Sequence, residues 1–335
     1  MTLEEVAKRA RVSTATVSRV LNNLEVVKES TRKRVLQAVE ELNYHPNLHA
    51  RSLAGGKSRT IGMIVSNVSN PFFVDVFRAL EDAARQRNYD VLIEHTDYST
   101  GQLMSSVRSM LGQRVAGLAV IVSEMSPEVI QEIEASNVRA VFYDVGTPGP
   151  RTTNVRVRYE TGMQRVVQYL FSLGHRRLAF VGHHAGLSPL QVRQKAFLET
   201  VKQHRHEVEY RVALNLDSPA GGVQAARELL HSGFRPTAIV CVNDYMAMGV
   251  LRELRAHGLS VPADVSVTGF DNIELSEFTN PALTTLNIPK AAIGQMTLEA
   301  LVPGPEGNAP REIVLDAELV LRDSTGPAPK DSRGA

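Results

Sequence analysis

The stretch Val12-Ser13-Thr14-Ala15-Thr16-Val17-Ser18-Arg19-Val20-Leu21-Asn22 opens on a capping serine and repeats apolar residues at Val12, Val17, Val20 and Leu21. That spacing predicts a short helix that buries one face and leaves Thr14, Ala15, Thr16, Ser18 and Arg19 outside. Small side chains on an exposed first turn let a helix approach base edges, hydroxyls bond bases or phosphates, and an arginine one turn later matches guanine. An ordinary amphipathic helix has the same periodicity, so the flanking sequence decides between the two.

Upstream, Thr2-Leu3-Glu4-Glu5 has the form of a capping box, with Thr2 as N-cap and Glu5 three residues later. The helix it starts turns Leu3, Val6, Ala7 and Ala10 inward. A tight turn at Arg11-Val12 then joins two short helices into a helix-turn-helix. A third helix, about 29–43, carries Val35, Leu36, Val39 and Leu42 on its inner face, with Arg32, Lys33 and Arg34 near its start. Pro46 ends this all-α unit. Residues 47–54 follow as a short helical segment, Gly55-Gly56 stops it, and Lys57-Ser58-Arg59 forms a polar linker. So short a helix is marginal in water and is expected to order only against a partner.

From Thr60 onward, strand-length apolar runs at 61–65, 91–93, 117–122, 140–143, 178–181, 238–242 and 265–270, with a further strand near 212, alternate with amphipathic helices. The helices are expected at 73–87, 102–114, 128–136, 161–173, 190–204, 221–232 and 245–257. Such alternation predicts parallel sheets covered by helices on both faces, and its length exceeds one comfortable sheet, so two similar lobes are expected. Ligands of such sheets bind beyond the C-terminal strand ends, here in the cleft between lobes. Asn243 and Asp271 directly follow apolar strands, where short polar groups face that cleft; Asp144 has a similar position, although a loop aspartate also caps turns.

The chain has 335 residues, is 43% hydrophobic and 22% charged, and so belongs with globular proteins rather than disordered or fibrous ones. Residues 1–60 hold 11 Lys plus Arg and 6 Asp plus Glu, a net +5, whereas the remainder holds 26 and 30, a net −4. A basic N-terminal part on an acidic body points to an anionic partner for the first part alone. A single cysteine, Cys241, suits a reducing cytoplasm, and no secretory leader or bilayer-length apolar run is expected. Dinucleotide, P-loop, nucleophile-elbow and zinc-protease motifs are absent, and the side chains of adjacent His183 and His184 diverge, so no enzyme activity, cofactor or metal site is expected.

Taken together, Thr2-Leu3-Glu4-Glu5-Val6-Ala7, the stretch 12–22, Leu42-Asn43-Tyr44-His45-Pro46-Asn47 and Ala50-Arg51-Ser52-Leu53-Ala54 resemble the lactose-repressor (LacI/GalR) family of bacterial transcription regulators. In the body, Ser172-Leu173-Gly174-His175-Arg176-Arg177-Leu178-Ala179-Phe180-Val181-Gly182, Asn243-Asp244-Tyr245-Met246-Ala247-Met248-Gly249 and Val267-Thr268-Gly269-Phe270-Asp271-Asn272 extend the likeness to about residue 323. The resemblance implies an α/β core of two doubly wound parallel-sheet lobes, like the periplasmic sugar-binding proteins, preceded by a small all-α helix-turn-helix headpiece and a hinge helix. Headpiece 1–46, hinge and linker 47–59, and core 60–323 follow. Lobe 1 would be 60–158 plus 288–318, lobe 2 would be 159–287 plus 319–323, and 324–335 is expected to be a disordered tail.

By the same likeness, Thr14, Ala15 and Arg19 face the major groove, and Ser13, Thr16 and Asn22 contact phosphates or cap. Thr2, Ser18 and Ala50 complete the DNA surface, and Leu53 wedges into the minor groove at the centre of a pseudo-palindromic operator. The implied effector site uses Phe72, Phe73, Asp144, Arg193, Asp217, Asn243 and Asp271. Asp217 stands where relatives often place an aromatic platform, which favours a sugar or sugar acid over a purine. With no leucine-rich C-terminal helix, a homodimer is expected. Two positions depart from the family pattern: Arg11 replaces a turn glycine, and Lys28 replaces a capping serine, leaving Ser30 to cap one turn later. The competing reading is a solute-binding or sugar-processing protein that uses only the two-lobed body; the basic headpiece and the missing leader argue against it.

Overall fold

Thr2 starts the first helix by a reciprocal pair of bonds: its Oγ1 accepts from the Glu5 amide at 3.3 Å, and its own amide donates to the Glu5 carboxylate at 2.7 Å. The computed structural model describes residues 1–21, 27–44, 58–144, 149–184, 188–204, 206–303 and 311–330, without the side chains of 188–190. The expected hinge segment with Ala50 and Leu53, and Asn22, lie outside the described residues. Met1–Ser58 and Arg59–Ala335 are separate compact units.

The first unit contains α1 (Leu3–Ala10), α2 (Thr14–Leu21) and α3 (Glu29–Glu41). α1 ends at Arg11, whose φ of 54° and ψ of 49° are left-handed and whose amide donates to the Ala7 and Lys8 carbonyls. Holding an arginine there costs about 1–2 kcal/mol, and it permits the two-residue turn to Ser13. The Ser13 Oγ accepts from the Thr16 amide at 3.2 Å and starts α2. Val6, Ala7, Ala10, Val17, Val20, Val35 and Ala38 form the core, with Leu3, Val12, Val39 and Leu42 packed on it.

Two expectations need correction here. Leu36 is 48% exposed, because the inner face of α3 runs through Val35, Ala38, Val39 and Leu42, and the next residue after Val35 turns about 100° away. Ser30 does not cap α3; Lys28 is the N-cap, without a side-chain bond, and its carbonyl accepts from the Thr31 and Arg32 amides.

In the second unit, β1 (Thr60–Val65), β2 (Asp90–His95), β3 (Gly117–Ile121), β4 (Arg139–Tyr143), β5 (Thr152–Arg158) and β11 (Glu312–Asp316) form one parallel sheet in the order β11-β5-β4-β3-β1-β2. Ile61, Met63, Val65 and Val141 face α4 (Pro71–Gln86) and α11 (Lys290–Leu301), sharing a core with Val76, Leu80 and Ile293. Ile64, Leu118, Val120 and Phe142 face the other way, onto Leu103, Val107 and Met110 of α5 (Thr100–Gly112) and Val129 and Ile133 of α6 (Pro127–Ala135). The alternation along each strand explains why one sheet carries helices on both faces.

The second lobe is a four-stranded parallel sheet, β7-β6-β8-β9, made by β6 (Arg177–His183), β7 (Glu209–Asn215), β8 (Ala238–Cys241) and β9 (Ser266–Thr268). Around it lie α7 (Tyr159–Ser172), α8 (Ser188–Gln203), α9 (Pro219–His231) and α10 (Asp244–Ala256). α9 and α10 cross backbone to backbone: a Cβ on Gly222 would stand 2.1 Å from the Met246 carbonyl oxygen, and one on Gly249 would stand 1.9 Å from that of Pro219. The chain passes between lobes after β5, again between β10 (Thr285–Asn287) and α11, and a third time between β11 and β12 (Glu318–Val320), which pairs antiparallel with β10. Strands β5, β10, β11 and β12, and helix α11, carry too little apolar contrast to stand out in the sequence.

Residues 324–330 correct the expectation of a disordered tail. Ser324 is fully buried; its backbone carbonyl accepts from the Val267 amide at 2.8 Å and its Oγ donates to the Val267 carbonyl at 2.6 Å. Gly326 N–H donates to Ser266 Oγ at 3.1 Å, and Ala328 N–H to the Leu173 carbonyl at 2.8 Å. A segment rich in Pro, Gly and Ser buries little side chain, yet its backbone satisfies the open edge of β9. Residues 331–335 lie outside the described residues. Among the described residues no helix is long and apolar enough to cross a membrane.

Candidate functional site

Two surfaces follow from this fold, one on each unit. On the first, α2 buries Val17 and Val20 and turns Thr14, Ala15 and Arg19 fully outward, with Thr16 and Ser18 at its half-buried flanks. Ser13 and Thr16 hydroxyls lie 2.9 Å apart at the start of the helix. Thr2 is exposed, and its hydroxyl and amide are engaged in the α1 capping box. Arg11, held outward by its left-handed backbone, and Lys33 and Arg34 of α3 are exposed too. The outer face of α2 is therefore small, hydroxylated and close to positive charge, a combination that fits a groove and its phosphates.

On the second unit, a cavity opens between the lobes at the C-terminal strand ends, lined by Asn70, Phe72, Phe73, Tyr98, Val122, Ser123, Tyr143, Arg193, Asp217, Asn243 and Asp271. Asn70 caps α4 by accepting from the Phe72 amide at 3.1 Å. Phe72 meets Phe73 edge-on at 5.4 Å between ring centroids and Tyr143 at 5.8 Å. Both phenylalanines are buried, so both rings belong to this wall.

Asn243 follows β8 and caps α10: its Oδ1 accepts from the Met246 amide at 2.8 Å, which aims its Nδ2 at Asp217 Oδ1, 2.6 Å away. Asp217 follows β7 and is buried. Asn70 Nδ2 reaches its Oδ2 from the first lobe at 3.4 Å, and the Tyr98 hydroxyl donates to the same oxygen.

Arg193, on α8, is 3% exposed. Its guanidinium carbon sits 4.1 Å from the Phe270 ring centroid and 4.7 Å from that of Tyr159. Nη2 pairs with Asp271 Oδ1 at 3.0 Å, Nη1 donates to the Val242 carbonyl at 2.9 Å, and the buried Nε has no hydrogen-bond partner among the described residues. Asp271 has a φ of 103°, a strained backbone for an aspartate. It is gripped at both ends, by Arg193 on the carboxylate and by Lys290 Nζ on its carbonyl at 2.8 Å. Burial pushes the Asp271 carboxyl up to about 6 against the pull of Arg193 and Lys290. Burial likewise lowers the affinity of Lys290 for its proton.

Of the seven effector residues expected from sequence, Phe72, Phe73, Arg193, Asp217, Asn243 and Asp271 meet around this cavity, and Asp144 does not line it. Its carboxylate accepts from the Val157 amide at 2.8 Å and from the Tyr159 hydroxyl, one layer behind Tyr143, and burial raises it to about 6. Asp144 supports the aromatic residues instead. Sequence reasoning missed Asn70, Tyr98, Ser123 and the buried Glu124, which accepts from Ser66 Oγ at 2.7 Å and the Ser123 amide at 3.0 Å. Tyr98 lies three residues past β2 and is not a short polar group, so the strand-end rule that found Asn243 does not reach it. Among the described residues no group of three or more His, Cys, Asp and Glu is placed to hold a metal ion.

Comparison with known proteins gives this geometry its context. Residues 2–47 match the family described as bacterial regulatory proteins, lacI family, and 167–325 match the periplasmic binding protein-like domain. The HTH-type transcriptional repressor PurR of Photobacterium profundum is 32% identical over 327 residues, covering 96% of this chain and 98% of that protein. The lac repressor dimer bound to operator and the anti-inducer ONPF superposes with a TM-score of 0.83 at 30% identity, covering 97% of this chain and 99% of that one. A LacI family transcriptional regulator from Enterococcus faecium with bound ribose superposes at 0.71 with 28% identity, covering 80% of this chain and 99% of that one. With a basic helix-turn-helix unit at one end, a two-lobed body at the other and full-length likeness to repressors, the chain belongs to the lacI family of bacterial transcription regulators.

Proposed function

We propose that this regulator acts in the cytoplasm, without enzymatic activity, as a homodimeric repressor whose operator affinity is set by a neutral, hydroxyl-rich metabolite bound between the lobes. One observation carries the reading: Arg193, Asp217, Asn243 and Asp271 converge from four strand ends or helices of one lobe upon an aromatic wall of the other. Aromatic faces against the C–H side of a sugar, with amide and carboxylate groups against its hydroxyls, make the usual composition of such a site. The bound ribose of the Enterococcus faecium regulator supports a ligand of this kind.

Charge narrows the class further. Among the described residues lining the cavity, Arg193 is the only cation, and its two terminal nitrogens are engaged by Asp271 and Val242. Lys290 is engaged by the Asp271 and Asn272 carbonyls at 2.8 and 2.7 Å. A ligand carboxylate would meet Asp217 and Asp271 with only the Nε of Arg193 left unpaired to balance them, so a neutral sugar is favoured over a sugar acid. Arg193 Nε remains as a donor for a ligand oxygen.

On the headpiece, Thr14, Ala15 and Arg19 are assigned to bases, and Thr2, Ser13, Thr16 and Ser18 to the backbone or to holding the helix start. One headpiece spans few base pairs, which supports a symmetric dimer on a pseudo-palindrome. Effector binding and operator binding are then reciprocally coupled.

A gel shift with a pseudo-palindromic operator tests the reading, using the full chain and a chain lacking residues 2–59. The full chain is expected to retard the operator, neutral sugars to change that affinity at least fivefold, the low end of allosteric coupling at about 1 kcal/mol, and the shortened chain to retard nothing. Equal retardation by both chains would overturn the assignment of the headpiece.

A further inference from the structure

Both oxygens of Asp217 are paired by the protein itself. Its Oδ1 accepts from Asn243 Nδ2 at 2.6 Å, and its Oδ2 accepts from Asn70 Nδ2 at 3.4 Å and from the Tyr98 hydroxyl. A ligand donor aimed at Oδ2 competes with Tyr98 and Asn70. Asn243 and Asn70 are pinned, because each also caps a helix through its Oδ1, α10 at Met246 and α4 at Phe72. Tyr98 caps no helix through its own side chain; it precedes Ser99, the N-cap of α5. It ends a turn in which Asp97 has φ 49° and Tyr98 has φ 62°. A bulky residue in the left-handed region is an outlier that persists only when something holds it. It is held from both lobes: by Asn67 and the Ser99 amide on the Thr96 carbonyl at 3.0 Å on its own side, and across the cleft by its hydroxyl on Asp217 and its ring 5.5 Å from that of His183. Burial, and then the charge of Asp217, keep the phenol proton in place, so Tyr98 donates to Asp217 while a side-chain hydrogen bond from Asn67 reaches the phenol oxygen.

We propose that Tyr98 is a specificity-determining residue of the cleft, standing in for a ligand hydroxyl on Asp217, and that the effector is a neutral polyol that brings its own O–H to that carboxylate and releases the turn at Asp97-Tyr98. The inference rests on the reading of the cleft as the effector site. It explains why polar and aromatic side chains crowd a space that a ligand is to occupy: Tyr98 gives Asp217 Oδ2 a hydroxyl donor until a ligand hydroxyl replaces it, and without Tyr98 that oxygen would keep only the 3.4 Å contact from Asn70. A ligand lacking a donor at that position cannot replace the phenol and is rejected.

Isothermal calorimetry on the full-length chain tests this, with D-ribose, D-galactose and cellobiose as neutral probes and D-galacturonate as the charged comparator. The proteins are the wild type, Tyr98→Phe and Asp217→Asn, each checked for folding by circular dichroism. The expected result is that Tyr98→Phe binds a neutral probe about three- to tenfold more tightly than the wild type, the net worth of one hydrogen bond that no longer competes. Asp217→Asn is expected to lose binding of the same probe at least about tenfold. Binding by Tyr98→Phe alone, with none by the wild type, also supports the proposal. A wild type that binds a probe while Tyr98→Phe binds it equally or more weakly overturns the role of Tyr98 and leaves the cleft reading standing. Tighter binding of galacturonate than of galactose overturns the neutral class. Absence of binding to any probe by both wild type and Tyr98→Phe overturns the cleft reading and the role of Tyr98 with it.

Discussion

Lobe 1 meets the cleft with an aromatic wall of Phe72, Phe73 and Tyr143, flanked by Asn70, Tyr98, Val122 and Ser123, whereas lobe 2 meets it with Arg193, Asp217, Asn243 and Asp271. The aromatic wall is held by packing: Phe72 touches Phe73 and Tyr143, and Asp144 and Tyr159 brace Tyr143 from behind. Its energy depends on volume and shape, which tolerate small changes. The polar wall is held by mutual satisfaction, since each buried carboxylate needs its donors, and Asn70, Asn243 and Arg193 are also committed elsewhere. Removing one partner there strands another in a low-dielectric interior. The difference between the walls is thus one of consequence: the same size of cut should cost far more on lobe 2.

Replacing Arg193 by Met makes the hardest test of that difference. The side chain keeps much of its stem between Phe270 and Tyr159 but leaves Asp271 without its guanidinium, a loss expected to destabilise the core by about 3–5 kcal/mol at pH 7. At pH 5 the loss should shrink, because the Asp271 carboxyl, already raised to about 6, takes up a proton and no longer needs a cation. Urea unfolding at both pH values measures it; a loss below about 1 kcal/mol at pH 7, the scale of an exposed pair, would erase the contrast between walls.

A second test lies directly behind the polar wall. Asp244 is fully buried, accepts from Thr285 Oγ1 at 2.5 Å and the Ile273 amide at 2.9 Å, and is raised from 3.8 to about 8, by burial first and by Asp271 second. A raised acid binds its proton more tightly in the folded chain than in the unfolded one. Its contribution to stability is therefore full below about pH 4 and is lost as pH rises toward 8, with a slope of at most about 1.4 kcal/mol per pH unit. Asp271 adds the same sign of slope only up to about 6. Of these two carboxyls only Asp244 titrates through the window from pH 6 to 8, and Asp244→Asn is expected to flatten the urea midpoint there. An unchanged profile would show that Asp244 is ionised in the folded chain.

The smallest effect is expected on the aromatic wall. Phe72→Leu keeps an apolar side chain of similar volume and gives up edge-on ring contacts, for a cost of about 1 kcal/mol. Thermal unfolding reads it, and a loss as large as that of Arg193→Met would mean that the walls do not differ in kind.

Local chemistry made much of this molecule readable in its sequence. The Thr2–Glu5 capping box, the left-handed Arg11 and the Ser13 cap are interactions among neighbours in the chain, and neighbours are visible without a fold. Asn243 and Asp271 were legible because a strand end faces the cleft whichever way the lobes close. Leu36 was misplaced because its identity is apolar while its phase on α3 is outward. The segment 324–330 was misread because its composition describes side chains, and what orders it is the backbone of β9.

By itself, then, the sequence determined the helix-turn-helix, the alternation that yields two parallel sheets, and the family, since periodicity, capping and motif are properties of residues a few positions apart. Only the tertiary structure decided which groups share one buried space. It moved Asp144 behind Tyr143, gave Asp217 three donors drawn from both lobes, and brought Tyr98 across 119 positions of chain to reach it. The reason is physical: a buried carboxylate must be satisfied by whatever the fold places within bonding distance, and no spacing along the chain records which residue that will be.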